Sequence, residues 1–173
     1  MSAGASTVQV PETLDAWRMV AARRQFEGRL PLATMSRLGG SLADTMGECS
    51  FALEFGQDAL QVPFVELSID AGLPLVCQRS LERFVFPVKT VQRLGLIRDE
   101  ADEAALPPGY EALLVPEDGL LRPAELVEDE LVLALPVVPM APGSELVDQT
   151  WSAGEEEMQA ASPFAALASL KKK

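Results

Sequence analysis

The hydrophobic pattern of the chain changes period twice. Between Thr13 and Phe26 the apolar residues Leu14, Trp17 and Ala21 recur at three or four positions, which predicts a helix with Arg18, Arg23 and Arg24 turned to solvent. A second short helix is expected from Pro31, favoured in a first turn, to Leu38, with Gly39 and Gly40 ending it. From Glu48 the period becomes two. Cys49, Phe51, Leu53 and Phe55 fall on one face of a strand, and Val65, Leu67 and Ile69 alternate with Glu66, Ser68 and Asp70. Asp70, Ala71 and Gly72 read as a tight turn, Gly72 supplying a positive φ, into a returning strand with Leu73, Leu75 and Cys77. After a loop over 78–83, Phe84, Phe86 and Val88 resume the alternation, with Lys89 and Arg93 on the opposite side. Three or four antiparallel strands are expected.

Asp99 to Gly109 is acidic and ends in Pro107, Pro108 and Gly109, the composition of an exposed loop, and Tyr110 to Val115 suits one further strand. The helical interval then returns. In "RPAELVEDELVLALP" Ala124, Val127, Leu131 and Ala134 or Leu135 repeat at three or four residues, Pro123 opens the helix and Pro136 closes it. Glu125, Glu128 and Asp129 lie in its first turns, where they complement the helix dipole. Beyond Pro139 the chain is polar and irregular until "SPFAALASLKKK", in which Ser162 suits a cap, Pro163 a first turn, and Phe164, Leu167 and Leu170 one apolar stripe. The expected organisation is a single α+β domain over 1–139, helical over 11–40, mainly strands over 48–115 and helical again over 123–135. Its sheet is small, antiparallel and partly barrel-like. A flexible acidic linker and a short helical motif are expected over 140–173.

Composition narrows the chemistry. The 173 residues are 48% apolar, with 13 prolines and 12 glycines, as suits one globular core with many turns. The first residues lack a basic start and an apolar run, and the longest apolar stretch, Leu131 to Pro142, is short and contains three prolines. A soluble, cytoplasmic protein is therefore expected. There is no histidine, which excludes Ser-His-Asp and Cys-His catalysis and imidazole metal ligation. The net charge of −12 is unevenly spread: residues 98–157 hold sixteen acidic and two basic groups, residues 1–40 three acidic and five basic. Any nucleic-acid contact is thus expected in the first half of the chain.

Each candidate for chemistry has a plainer reading beside it. Cys77 opens a Cys-x-x-Ser sequence, "CQRS", with Ser80 where a zinc knuckle has its second thiol. Two cysteines without histidine do not make a four-ligand zinc site, so the reading is a buried strand end, with a thiolate assisted by Arg79 as its competitor. Glu125, Glu128 and Asp129 have the spacing to share Mg²⁺ as in a metal-dependent nuclease, but a solvated acidic helix start accounts for them more simply. Arg79, Arg83, Lys89 and Arg93 form the densest basic stretch of the folded region and are the RNA-contact candidates; scattered surface cations are the commoner explanation of such a stretch. No catalytic or metal-binding residue and no cofactor is assigned.

Five stretches in order, "PETLDAWR", "ECSFALEF", "LVCQRSLERFVFPV", "LVEDELVLALPVVP" and "PFAALASLKKK", resemble the YceD family of bacterial large ribosomal RNA accumulation proteins. The resemblance spans nearly the whole chain. It implies a role in synthesis, processing or stability of large-subunit rRNA with no enzyme activity. Members of the family typically carry Cys-Gln-Arg-Cys in the third stretch, and a His and a Cys after the fourth. Here Cys77 matches the first cysteine, Ser80 replaces the second, and "MAPGSELVD" lacks the later pair. A metal site of that kind is therefore not expected in this chain. The resulting expectation is a nonenzymatic ribosome-biogenesis factor whose partner is 23S rRNA or its precursor, met directly or through a ribosomal or processing protein, without DNA or membrane. The alternative is an acidic protein-interaction adaptor with no ribosomal role. Partner-binding candidates are Glu128, Asp129, Glu130, Pro163, Phe164, Leu167 and Leu170.

Overall fold

A computed structural model of the chain describes residues 10–144; the tail motif with Pro163, Phe164, Leu167 and Leu170 lies outside them. Among the described residues the elements are β1 (Leu14–Asp15), α1 (Ala16–Ala21), β2 (Gln25–Pro31), a 3-10 turn (Leu32–Thr34), α2 (Ser36–Gly39), β3 (Glu48–Gln57), β4 (Pro63–Val76), β5 (Arg83–Ile97), a 3-10 helix (Glu100–Ala105), β6 (Glu111–Leu114), β7 (Leu120–Leu121) and α3 (Pro123–Ala134). The expected α+β class is borne out. Five strands form one open sheet in the order β2-β3-β4-β5-β6, antiparallel except for β6, which joins β5 in parallel, and β1 pairs with β7 beside it. The sheet is thus mixed and open at β2 and β6 rather than curled into a barrel.

The front of the chain departs most from the sequence expectation. The helix expected over Thr13–Phe26 shrinks to α1, and the supposedly helical span 11–40 contains β2. Asp15 caps α1 by accepting from the Arg18 N–H at 2.9 Å, while Arg23 turns the chain out of the helix with a φ of 48°. Extension follows because the core needs it. Phe26 stands edge-on to Phe55, ring centroids 6.3 Å apart, and β2 pairs with β3 from Gln25↔Glu54 to Pro31↔Glu48. Phe26, Gly28 and Leu30, two apart, are its half-buried face.

No turn exists at Asp70–Gly72. Strand β4 runs straight through, burying Val65, Leu67, Ile69, Ala71, Leu73 and Leu75, an unbroken period of two that outlasts the supposed break. The alternation keeps one apolar face inward for fourteen residues. Gly72 serves room rather than φ: a Cβ there would lie 2.8 Å from Val85 Cγ1 on the neighbouring strand. The reversal comes at Cys77–Glu82, where Leu81 adopts φ 60° and the Cys77 N–H donates to the Glu82 carbonyl at 2.9 Å. β4 and β5 then pair from Val76↔Arg83 to Phe64↔Gly95.

Helix α3 starts at Pro123 as expected and stops one residue before the expected end. It buries Pro123, Leu126, Val127, Glu128 and Leu131, whereas Ala124, read from the sequence as inward, is exposed. The acidic segment after β5 is exposed as expected, although part of it coils as the 3-10 helix. Among the described residues no helix is long and apolar enough to cross a membrane.

Candidate functional site

The acidic helix face folds onto a cation. Glu128 is buried, with 8% of its surface exposed, so its carboxylate must find donors inside the protein. It finds them at α2. One oxygen accepts from the Arg37 N–H at 2.7 Å and the Leu38 N–H at 3.1 Å, two otherwise unsatisfied donors at the start of that short helix. The other accepts from Arg37 Nε at 3.3 Å and Nη2 at 3.2 Å, and Arg37 Nη1 reaches Asp129. Burial disfavours the charge on Glu128, but the Leu38 and Arg37 N–H groups and the Arg37 guanidinium outweigh it and hold the carboxyl below the ordinary glutamate range.

These bonds leave little for a cation cluster at Glu125, Glu128 and Asp129. Glu125 pairs with Arg122 at 3.3 Å, and among the described residues no group of three or more Cys, Asp or Glu side chains is arranged to hold a metal ion. Glu130, the third acidic partner-binding candidate, is half-buried, and its acidity is weakened by burial and then by Glu111 and Asp129.

The basic stripe is real and compensated. Lys89 and Arg93 share the outer face of β5 and stand opposite acids of β4: Lys89 faces Asp70 with 3.6 Å between charged atoms, and Arg93 faces Glu66 at 2.6 Å. Arg93 also lies over the Phe64 ring, 4.8 Å from its centroid. Arg83 binds Asp44 at 2.5 Å. Arg79 lies exposed in the turn and has a partner of its own.

Cys77 follows directly after β4 and is fully buried. Its sulfur accepts from the Ala141 N–H at 3.3 Å and the Ser80 N–H at 3.5 Å, and these donors pull its pKa down to about 6. Cys49, buried in β3 near Asp70 and lacking such donors, is pushed up to about 12. The turn around Cys77 therefore shapes a sulfur-accepting nest, while Ser80 contributes no second thiol.

The pattern along the chain missed a pairing at α1. Trp17, expected on the core side of a long helix, is only half-buried, and the Arg98 guanidinium lies over its ring 4.1 Å from the centroid. Arg98 follows the last residue of β5. Its partner is eighty-one positions away, so no local period announces the contact. The arginines already read as solvent-facing, Arg18, Arg23 and Arg24, were the available signal.

Fold and clamp together define an α+β protein built on an open mixed sheet, with an acidic helix latched by Arg37 onto the segment that connects β2 to β3. The sequence profile of the family "Large ribosomal RNA subunit accumulation protein YceD" matches residues 65–171, and the chain belongs to that family. The chain is similar to the Large ribosomal RNA subunit accumulation protein YceD of Haemophilus influenzae (strain ATCC 51907 / DSM 11121 / KW20 / Rd), 28% identical over 173 residues that cover 96% of this chain and 98% of the relative. No solved structure matches the chain.

Proposed function

We propose that this protein is a nonenzymatic factor of ribosome biogenesis that supports the synthesis, processing or stability of 23S rRNA. The observation that carries the reading is similarity along nearly the full length to a protein named for accumulation of the large ribosomal RNA subunit. A nonenzymatic role is supported by a family name that describes an amount of RNA rather than a reaction, and by the commitment of Glu128 and Asp129 to Arg37. Cytoplasmic localisation follows from the same role.

The partner is 23S rRNA or its precursor. Contact through Arg79, Arg83, Lys89 and Arg93 would exchange the carboxylates of Asp44, Asp70 and Glu66 for phosphates, a trade between two anions of similar strength. The net charge of −12 favours a second reading, an acidic adaptor that reaches protein partners through Glu130 and the terminal Phe164 motif without a ribosomal role.

The test is the ratio of large to small ribosomal RNA, with precursor ends mapped, in cells lacking the protein and in cells given it back. A selective loss of the large RNA, restored by complementation, is expected. An unchanged ratio, with no co-sedimentation on large-subunit precursors, would transfer the function to the adaptor.

A further inference from the structure

The cations of this protein divide by whether they have an acidic partner. Arg29, Arg37, Arg83, Lys89, Arg93 and Arg122 each pair with a carboxylate. Arg18, Arg23, Arg24 and Arg98 make no ion pair with any described residue and are all exposed. Three of the four lie within α1 and the turn that follows, and the fourth stacks on the Trp17 ring of the same helix. α1 ends at Ala21, and Arg23 and Arg24 follow in the turn within three residues of its end. Among the described residues, these four cations are therefore gathered on and against the segment that carries the half-buried Trp17 ring.

A groove of about 340 Å³ opens at that stack. Trp17 and Arg98 form part of its lining, Val62, Pro63 and Leu106 add apolar surface, and Asp102 adds one carboxylate. Local sequence builds it deliberately. Asp58 accepts from the Leu60 and Val62 N–H groups at 2.8 and 2.9 Å and so shapes the β3–β4 turn that presents Val62 and Pro63. Gly95 lets the acidic segment close in: a Cβ there would lie 2.6 Å from Leu106 Cδ2. The volume falls at the small end of ligand sites.

We propose that this groove receives an unpaired base of single-stranded RNA, stacked on the Arg98 and Trp17 pair, with the adjoining phosphates on Arg18, Arg23 and Arg24. The inference rests on the ribosomal reading above and gives it a contact surface. Guanidinium planes and aromatic rings are the usual platforms for splayed bases, which a duplex keeps stacked and out of reach. Charge sets the orientation. Asp102 repels phosphate and accepts from the N–H donors on a base edge, so the base enters the groove while the backbone runs along α1. The β5 stripe cannot do this equally well, because its cations already hold carboxylates.

The experiment uses the full chain with Trp151→Phe, leaving Trp17 as the one indole, titrated with single-stranded RNA of about ten nucleotides and with the same sequence as a duplex. Saturable quenching of Trp17 by the single strand and not by the duplex is expected. Arg98→Ala, used once its thermal unfolding matches that of the unaltered chain, should weaken binding at least about fivefold. Arg18, Arg23 and Arg24 changed together to Gln should reduce the salt slope of binding by about 2, whereas Arg83, Lys89 and Arg93 changed together should leave the slope alone.

Absence of quenching, equal binding of the duplex, or affinity indifferent to Arg98→Ala overturns the inference and gives this surface to a protein partner. The same variant separates this failure from that of the broader function. If Arg98→Ala restores large-subunit RNA in deficient cells as well as the unaltered protein does, the groove assignment falls and the ribosomal role stands. If loss of the whole protein leaves that RNA unchanged, the ribosomal role falls whatever the oligonucleotide shows.

Discussion

The outer face of β5 and the α1 segment carry similar numbers of cations, yet the fold treats them in opposite ways. On β5 the strand register places Lys89 opposite Asp70 and Arg93 opposite Glu66, and cross-strand neighbours at that spacing attract one another. At α1 the one acid of the helix start, Asp15, caps the helix through the Arg18 N–H, and the side chains of Arg18, Arg23 and Arg24 form no ion pair with a described residue. Density of basic residues along a sequence is therefore a poor guide to positive surface. What matters is whether a carboxylate lies across the ladder, and that depends on a pairing made many residues away.

If paired charge supports the structure, the largest loss should come where the pairing is most buried. Glu128→Ala should cost about 3 kcal/mol in denaturant unfolding, because it strips two backbone donors at α2 and the Arg37 guanidinium of their acceptor. A cost below about 1 kcal/mol would mean that water or another acid replaces the clamp. The same carboxyl sets a pH dependence. Its folded pKa is depressed, so its stabilising contribution is complete above the unfolded glutamate value of about 4.3 and is lost as pH falls through the lower folded value. Acid unfolding followed by circular dichroism should therefore lose part of its steepness below that pH in Glu128→Gln.

Arg93→Ala should cost about 1 kcal/mol, since it removes both the Glu66 ion pair and the packing over Phe64. Lys89→Gln should fall within about 0.5 kcal/mol, because the Lys89 side chain is 83% exposed and its ion pair to Asp70 is screened. The smallest effect is expected at α1. Arg18, Arg23 and Arg24 changed together to Gln should leave thermal unfolding nearly unmoved, and a clear loss of stability would show that these cations hold the fold rather than wait for a partner.

Much of the architecture was legible beforehand, for a physical reason. Where one face of an element is buried along its whole length, the apolar period survives in the sequence: β3 through Cys49, Phe51, Leu53 and Phe55, and α3 through Val127 and Leu131. The errors came where two signals competed in a short window. At Asp70 to Gly72 the composition of a turn was set against an alternation running from Val65 to Leu75, and the alternation won because breaking it would have exposed one half of the strand. Near Phe26 three residues of helical spacing gave way to a strand whose inner face, Phe26, Gly28 and Leu30, is itself only three residues long.

The candidate site divides in the same manner. Sequence alone determined the family resemblance, the absence of histidine chemistry, the acidic second half and the existence of two basic regions, because each is a property of residue identity and order. Tertiary structure decided which charges remain available. It buried Glu128 under Arg37, neutralised β5 through its register with β4, and carried Arg98 eighty-one positions back onto Trp17. Electrostatic partnership acts over a few ångströms of space, and only the folded chain fixes which residues share that distance.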